Sequence, residues 1–509
     1  MSKSNTTINY FSRQFSSTVY FLGSGFCLGI GFIIPPLWVT VFPGLILYLI
    51  GLKRASTIWQ AALGGFIAWT GKSMFAIGWF WSTYPIIWIE LGQLKTQATL
   101  IGFYWLTTSI FLGLAGIFCA ACMWLMVRNF KPVWLLIAGP LIWLGSEILG
   151  SFSFSFFTLG EGMETNAVFS FGYLGYLLAE HEWLLQIARL GGVYLLTMVT
   201  VTIGIAIWYW FDINNYDKRT QRRGLVLLLV IVLTGHFSFN PPAQSVVKIN
   251  ETKVAIIDTR FGGAEYFSLD NKEEYRVNQL IKALAAARKQ NPDYIVMPED
   301  SRYLSSELSP SGAYARFRFQ QSDPTAIIVE AGPFSLIEGG QALRATIYDG
   351  VNKAVYAADK QYLVPQGEFM PIFYIKTLNI LGYEKAVRDI SSKLQYRPGP
   401  YSSQAELPKI IPGILFCFAS ADPYGVRKLV KERELPFIAH PISHAWFNEP
   451  VSLWHQFDTM LKIHALWNQV PIVSAGNMVG GALFTVAGEK NVSETVAEGE
   501  RWSVSLVSW

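Results

Sequence analysis

The chain has 509 residues, 51% of them hydrophobic and only 15% charged, with a formal net charge of +4. The apolar share, and the near absence of charge from residues 18–211, exclude an ordinary soluble protein, although the length would serve two or three domains. A positive balance this small and scattered excludes nucleic acid as the partner.

Seven apolar runs come first, at about 18–34, 37–52, 58–81, 98–127, 132–150, 183–211 and 224–239. A helix needs about 20 residues to cross a bilayer, with ~17 as the lower limit. Residues 1–240 are therefore expected to form a multi-pass α-helical membrane domain of about seven helices. Pro35-Pro36 predicts a tight hairpin between the first two runs, which are short enough to read alternatively as a re-entrant pair. The first run reads as a retained helix, because a second follows at once and no small-residue cleavage site is clear.

Loop charges orient the helices. With the N-terminus inside, the inner loops carry Lys3, Arg13, Lys53, Arg54, Arg128, Lys131, Lys218, Arg219, Arg222 and Arg223, against Lys95 alone outside. Seven crossings then put the rest of the chain on the outer face. Lys72 lies inside the third run, where a charge needs a polar cavity or a partner, and Glu147 is the candidate. The segment 150–176 is aromatic, Gly-rich and too broken to make a good span. It is expected either to lie at the bilayer interface and help admit lipid, with Phe156 and Phe157 exposed to it, or to be a packed connecting loop.

From residue 250 short strands alternate with amphipathic helices, as in an α/β sandwich. "KVAIID" (253–258), "YIVMPED" (294–300), "TAIIVEAG", "LRATIYDG", "KAVYAADK" and "IIPGILFCF" read as strands, with a tight turn at Asp349-Gly350. Residues 272–290 read as a helix with Val277, Leu280, Ile281, Leu284 and Ala285 on its apolar face, and residues 452–468 as a second helix.

Three strand ends carry chemistry. Glu299 follows "YIVMP", Lys360 follows "AVYAAD", and Cys417 follows "GILF". Strand ends opening into loops are where α/β scaffolds carry catalytic groups. A thiol with a pKa near 8.5 needs a base or a cation to become a nucleophile. Glu299 can be that base, and Lys360 with the backbone N–H of Phe418 can stabilise an oxyanion, where losing one donor typically costs about 3–4 kcal/mol. Each residue also has a bland reading. Glu299 could pair with an arginine, Lys360 could be solvated, and Cys417 could be a small buried hydrophobe.

Taken together, "VMPE", "DKQYLVPQGEFMP" and "GILFCF" resemble the three signature regions of the nitrilase, or carbon–nitrogen hydrolase, superfamily. Joined to a polytopic half containing "LIWLGSEILG" and "GYLLAEHEWLLQIARLGGVYLL", they resemble the bacterial apolipoprotein N-acyltransferases. That resemblance implies a nitrilase-like αββα sandwich over residues 250–509, facing the outer side of the inner membrane. It implies Glu299 as general base, Lys360 as oxyanion stabiliser, Cys417 as nucleophile and Glu368 as a supporting glutamate, although Glu368 also fits a loop residue capping backbone N–H groups. The implied partners are a membrane phospholipid as acyl donor and a lipidated apolipoprotein as acceptor.

Several positions depart from the family pattern. Ala419 stands where a glutamate is expected near the cysteine, with Asp422 as its only candidate substitute, and Gln366 stands for a phenylalanine. His464, Trp467 and Val470 fill places where charged or glycine residues are expected, and the chain lacks the family's last membrane helix. Two other readings therefore stay open. One is a related membrane-tethered acyltransferase or amidase with another acceptor, and the other a weakly catalytic lipid- or lipoprotein-binding paralogue. No cofactor or metal is expected: six histidines without ligand spacing and lone cysteines argue against a metal site, and no Gly-rich loop suggests a nucleotide.

Overall fold

A computed structural model describes residues 17–86, 94–211, 252–263, 265, 272–301, 326–336, 340–392, 396–400, 402–492 and 494–509. The described residues within 17–211 are helical apart from connecting loops, and those within 252–509 are α/β.

Among the described residues, four helices are long and apolar enough to cross a membrane: Pro35–Arg54, Leu94–Asn129, Val133–Phe157 and Ala188–Trp210. The sequence suggested about seven crossings. The first run forms a shorter apolar helix, Ser17–Phe32, and the third forms Ile58–Ala76, which Gln60, Thr70, Lys72 and Ser73 dilute. The seventh run, 224–239, lies outside the described residues. Large apolar side chains point outward along these helices, among them Phe26, Trp59, Leu63, Trp134, Ile137 and Leu141. Such a belt suits a hydrocarbon surround rather than water. Inside the bundle, Ile58–Ala76 lies against Leu94–Asn129 at close range. A Cβ on Gly65 would come 2.2 Å from the Gly116 carbonyl oxygen, so only glycine permits this approach.

The segment expected to skirt the interface begins as the end of a helix, Pro132–Phe157, and continues as a loop packed into the molecule. Phe157 stacks on Phe111 with centroids 4.3 Å apart. Phe154 and Phe169 turn inward instead, 4.0 Å apart.

The α/β part is built from β1 (Lys253–Thr259), β2 (Tyr294–Val296), β3 (Ile327–Ser335), β4 (Gln341–Asp349), β5 (Ala354–Asp359), β6 (Gly413–Ile414), β7 (Ile438–Ser443), β8 (Ile472–Asn477), β9 (Ala482–Phe484), β10 (Lys490–Asn491), β11 (Glu494–Glu498) and β12 (Trp502–Ser508). One layer runs β11-β12-β1-β2-β3-β4-β5 and the other β6-β7-β8-β9-β10. The layers are joined at one register pair, Thr259 with Asn477. Pairing is mixed: β1, β2 and β3 are parallel, as are β6, β7 and β8, while β3, β4 and β5 are antiparallel.

Alternation along the strands explains the layering. Val254, Ile256, Val296, Val329 and Ile347 of one layer meet Ile414, Ala439, Val473 and Leu483 of the other in a shared core. The opposite faces carry Ala255, Ile257 and Ile295 against the helix Lys272–Arg288, and Ile438 and Ile472 against Gly425–Glu432 and Val451–Asn468. The result is a helix–sheet–sheet–helix sandwich. The buried face of Lys272–Arg288 is Leu280, Ala283, Leu284 and Ala287, rotated from the expected one, so Ile281 and Ala285 are exposed. "IIPGILFCF" pairs as a strand over only two residues before Cys417 turns away.

Candidate active site

Glu299 and Lys360 sit where strands end and Glu368 in a turn, and local chemistry fixes each position. Lys360 directly follows β5, where the Arg344 guanidinium grips Asp359 through Nε–Oδ1 (2.6 Å) and Nη2–Oδ2 (2.9 Å). The Lys360 backbone N–H donates to the Leu343 carbonyl at 2.8 Å, so the ladder holds the residue up to its Cα. Glu368 arrives through the turn Val364–Glu368, in which Gln366 takes φ +62° and the Glu368 N–H donates to the Val364 carbonyl at 2.8 Å. Glu299 lies just beyond β2, followed by Asp300 at φ +61°. Backbone in this left-handed region is uncommon for non-glycine residues and is found where surrounding structure over-determines it.

The Lys360 ammonium donates to Glu299 Oε1 at 2.9 Å and to Glu368 Oε1 at 2.6 Å. Glu368 Oε2 accepts the Val364 N–H at 2.8 Å, so Glu368 both caps the turn and holds the lysine. Lys360 is only 1% exposed, which removes the solvated reading, and Glu299 pairs with Lys360 rather than with an arginine. Burial raises Glu299 to about 7, the Lys360 charge pulling against this and Glu368 adding to it. Burial alone would favour a neutral amine, but the two carboxylates hold the Lys360 pKa above its ordinary value.

Cys417 opens a 3-10 turn, Cys417–Ala421. Three hydrogen bonds secure its carbonyls. The Ser420 hydroxyl donates to Cys417 O (2.6 Å), the His464 ring N–H at Nε2 to Ser420 O (2.9 Å), and the Ser170 hydroxyl to Ala421 O (2.6 Å). Ser170 belongs to the helical half, so the turn is tied across the two halves. Burial, with the Glu299 charge adding to it, pushes the Cys417 thiol well above its usual range; Lys360 and the Ser443 backbone N–H oppose this. At neutral pH the sulfur is therefore a thiol that needs a base, not a standing thiolate.

Glu299, Lys360, Glu368, Cys417 and Phe418 line one cavity of about 150 Å³. Its other wall comes from the helical half, including Trp79, Leu100, Tyr104, Phe154, Phe169 and Phe171. Phe156 and Phe157, expected from sequence to face lipid near the site, are not part of this wall. A second cavity of about 390 Å³, with a more polar lining, shares Phe154, Phe169, Pro365 and Phe418 with the first.

Asp422 lines neither cavity; its carboxylate accepts the Tyr424 N–H at 2.9 Å. His464 supports the turn, as described. Trp467 packs on the helical half, where a Cβ on Gly192 would come 2.4 Å from its ring. Sequence reasoning passed over Ser443, His444 and Trp446, which also line the first cavity. "FIAHPISHAWF" follows no motif named from the sequence; its six-residue, fully buried strand was the available signal. Among the described residues, no group of three or more His, Cys, Asp or Glu could hold a metal ion.

Residues 24–206 match the family model of the apolipoprotein N-acyltransferase N-terminal domain. No curated protein matches the chain. Among solved structures, an amidase from Nesterenkonia sp. AN1 in complex with acrylamide is similar at 15% identity, over 52% of this chain and 92% of that one, with a TM-score of 0.35. A second structure of an amidase from Nesterenkonia sp. is 15% identical over 50% of this chain and 90% of that one, with a TM-score of 0.33. A cysteine-to-serine mutant of the AN1 amidase, described as from the nitrilase superfamily, is similar to the same extent: 15%, 50%, 90% and 0.33.

Proposed function

We propose that the protein is a membrane-embedded N-acyltransferase that moves a fatty acyl chain from a phospholipid, through a thioester on Cys417, to the N-terminal amine of a diacylglyceryl-cysteine lipoprotein. The match of residues 24–206 to an apolipoprotein N-acyltransferase domain supports the class. The observation that carries the mechanism is the meeting of a buried thiol, two carboxylates and an ammonium at an apolar cavity walled by the helical half.

In this reading the Glu299 carboxylate takes the Cys417 thiol proton, and the sulfur attacks the phospholipid ester carbon. Lys360 and the Phe418 N–H stabilise the oxyanion, at roughly 3–4 kcal/mol per donor. Collapse breaks the ester C–O bond, and Glu299 returns the proton to the departing alkoxide of the lysophospholipid. The lipoprotein amine then attacks the thioester, Glu299 takes its proton, the amide forms, and the sulfur leaves as thiolate and is reprotonated. Glu368 keeps Lys360 charged and aimed throughout. Apolar helices facing outward beside the cavity suit lipid-anchored substrates that stay in their leaflet. The excess of inner-loop Lys and Arg supports a bacterial inner-membrane location with the α/β part on the periplasmic face.

The test is acyl transfer by the purified protein in phospholipid liposomes to a synthetic diacylglyceryl-cysteine peptide. The peptide is expected to gain one amide-linked acyl chain, and the reaction to vanish in C417S. Product formed undiminished by C417S would overturn the assignment of the nucleophile.

A further inference from the structure

His444 lines the same cavity as Cys417, Lys360 and Glu299, and the mechanism above does not use it. The residue is 1% exposed, yet neither Nδ1 nor Nε2 has a hydrogen-bond partner. Buried polar groups are ordinarily paired, so an imidazole with both nitrogens open marks a place for a bound polar group. The ring is fixed by its neighbours. Phe457 lies 5.6 Å from it at 29°, Trp454 6.5 Å at 10°, and Phe447 stands edge-on at 5.8 Å. Its backbone N–H is bonded to the Asn477 carbonyl at 2.9 Å, and the preceding residue, Ser443, presents its N–H to the Cys417 sulfur. The side chain thus stands rigidly one residue away from the atom that would carry the acyl group.

Burial, with His440 adding to it, lowers the ring pKa to about 3, so the imidazole is neutral at physiological pH. A neutral imidazole offers one N–H donor and one lone pair. An acyl ester has only acceptors and satisfies one of the two nitrogens. A peptide N-terminus brings the amine N–H donor that the ring's lone pair lacks. We infer that His444 is a binding residue for the amine-bearing acceptor, accepting an N–H of its terminal amine at the unprotonated ring nitrogen. The inference rests on the acyltransfer reading and assigns the second substrate's polar end to a defined side chain.

The test separates the two half-reactions in full-length protein. Acyl-enzyme formation is followed by mass spectrometry with phospholipid alone, and transfer by varying the diacylglyceryl-cysteine peptide. H444F keeps the aromatic packing and removes both polar atoms. It is expected to acylate Cys417 at a rate within about threefold of wild type while raising the KM for the peptide by about tenfold, the loss expected for one hydrogen bond. H444Q, which restores a donor and an acceptor, is expected to recover part of that loss. An unchanged KM in H444F overturns the inference, as does an equal slowing of both half-reactions. Failure of wild-type protein to form any acyl-enzyme overturns the acyltransfer reading itself, and the wild-type control tells that result apart from the others.

Discussion

Glu299 is the residue on which the pH behaviour turns. A carboxyl raised to about 7 by burial is protonated below neutrality and cannot accept the Cys417 proton there. The rate of acyl-enzyme formation is therefore expected to rise with pH through about 7, and the rise to disappear in E299Q along with the activity. A flat profile from pH 5 to 8 would contradict the base assignment. The sign for stability is opposite. Because the folded-state pKa lies above the ordinary value of 4.5, the group's contribution to folding is complete below 4.5 and is lost as pH rises through about 7. Replacing Lys360 by methionine leaves Glu299 and Glu368 facing one another without a cation. Breaking a buried pair from one side costs about 3–5 kcal/mol, so K360M is expected to lose both thermal stability and acylation, and E368Q less of each. The positions of Glu299 and Lys360 at strand ends were readable from sequence. Their mutual distances were not, because register and turn geometry, including the positive φ at Gln366, decide them.

At the scale of elements, the Cys417 turn is held by groups from outside its own layer. Tyr176 O–H, Ser170 Oγ and the Ala421 carbonyl form a chain with 2.6 Å at each step. Ser170→Ala leaves that carbonyl without its donor, a cost of about 1–3 kcal/mol. The expected outcome is slower acylation, by about tenfold, with secondary structure by circular dichroism unchanged; an unaltered rate would show that the tie does not position the nucleophile. Gly192 is the second tie, with φ +60° and ψ −151° under the Trp467 ring. This backbone region is essentially reserved for glycine, and a side chain there costs about 1–3 kcal/mol. G192A is therefore expected to lower the melting temperature in detergent, and trimming Trp467 to alanine to restore only the part due to the clash. Trp467 read as a departure from the family pattern. Its role as a packing partner was invisible because the contact joins residues far apart in the chain.

For the whole molecule, two layers of description were legible to different degrees. Alternating apolar strands announced the sandwich, and the long apolar runs announced helices. Crossing number was less legible, since Ser17–Phe32 is short and Ile58–Ala76 carries Lys72. That lysine finds the partner suggested by sequence: its Nζ lies 3.6 Å from Glu147 Oε1 and 4.2 Å over the Trp69 ring. Glu147 also accepts from the Leu174 N–H at 2.9 Å and the Thr197 hydroxyl at 3.0 Å, which joins three helical segments at one carboxylate. K72M should destabilise the bundle on the scale of a broken buried pair, about 3–5 kcal/mol, seen as a lower melting temperature in detergent; an unchanged transition would show that the pair contributes nothing. The wall of the cavity was the least legible feature. No residue of that wall was named from sequence: in the segment read as interfacial, Phe154 and Phe169 turn inward to line the cavity, while Phe156 is 62% exposed.

The central claim is that Cys417 carries the acyl group. Intact-protein and peptide mass spectrometry after incubation with a phospholipid of defined chain length, without acceptor, tests it most directly. The account predicts a thioester-linked acyl chain on Cys417 that hydroxylamine removes and that an added diacylglyceryl-cysteine peptide discharges. A protein that stays unmodified at Cys417, or that carries the chain on another residue, would contradict it.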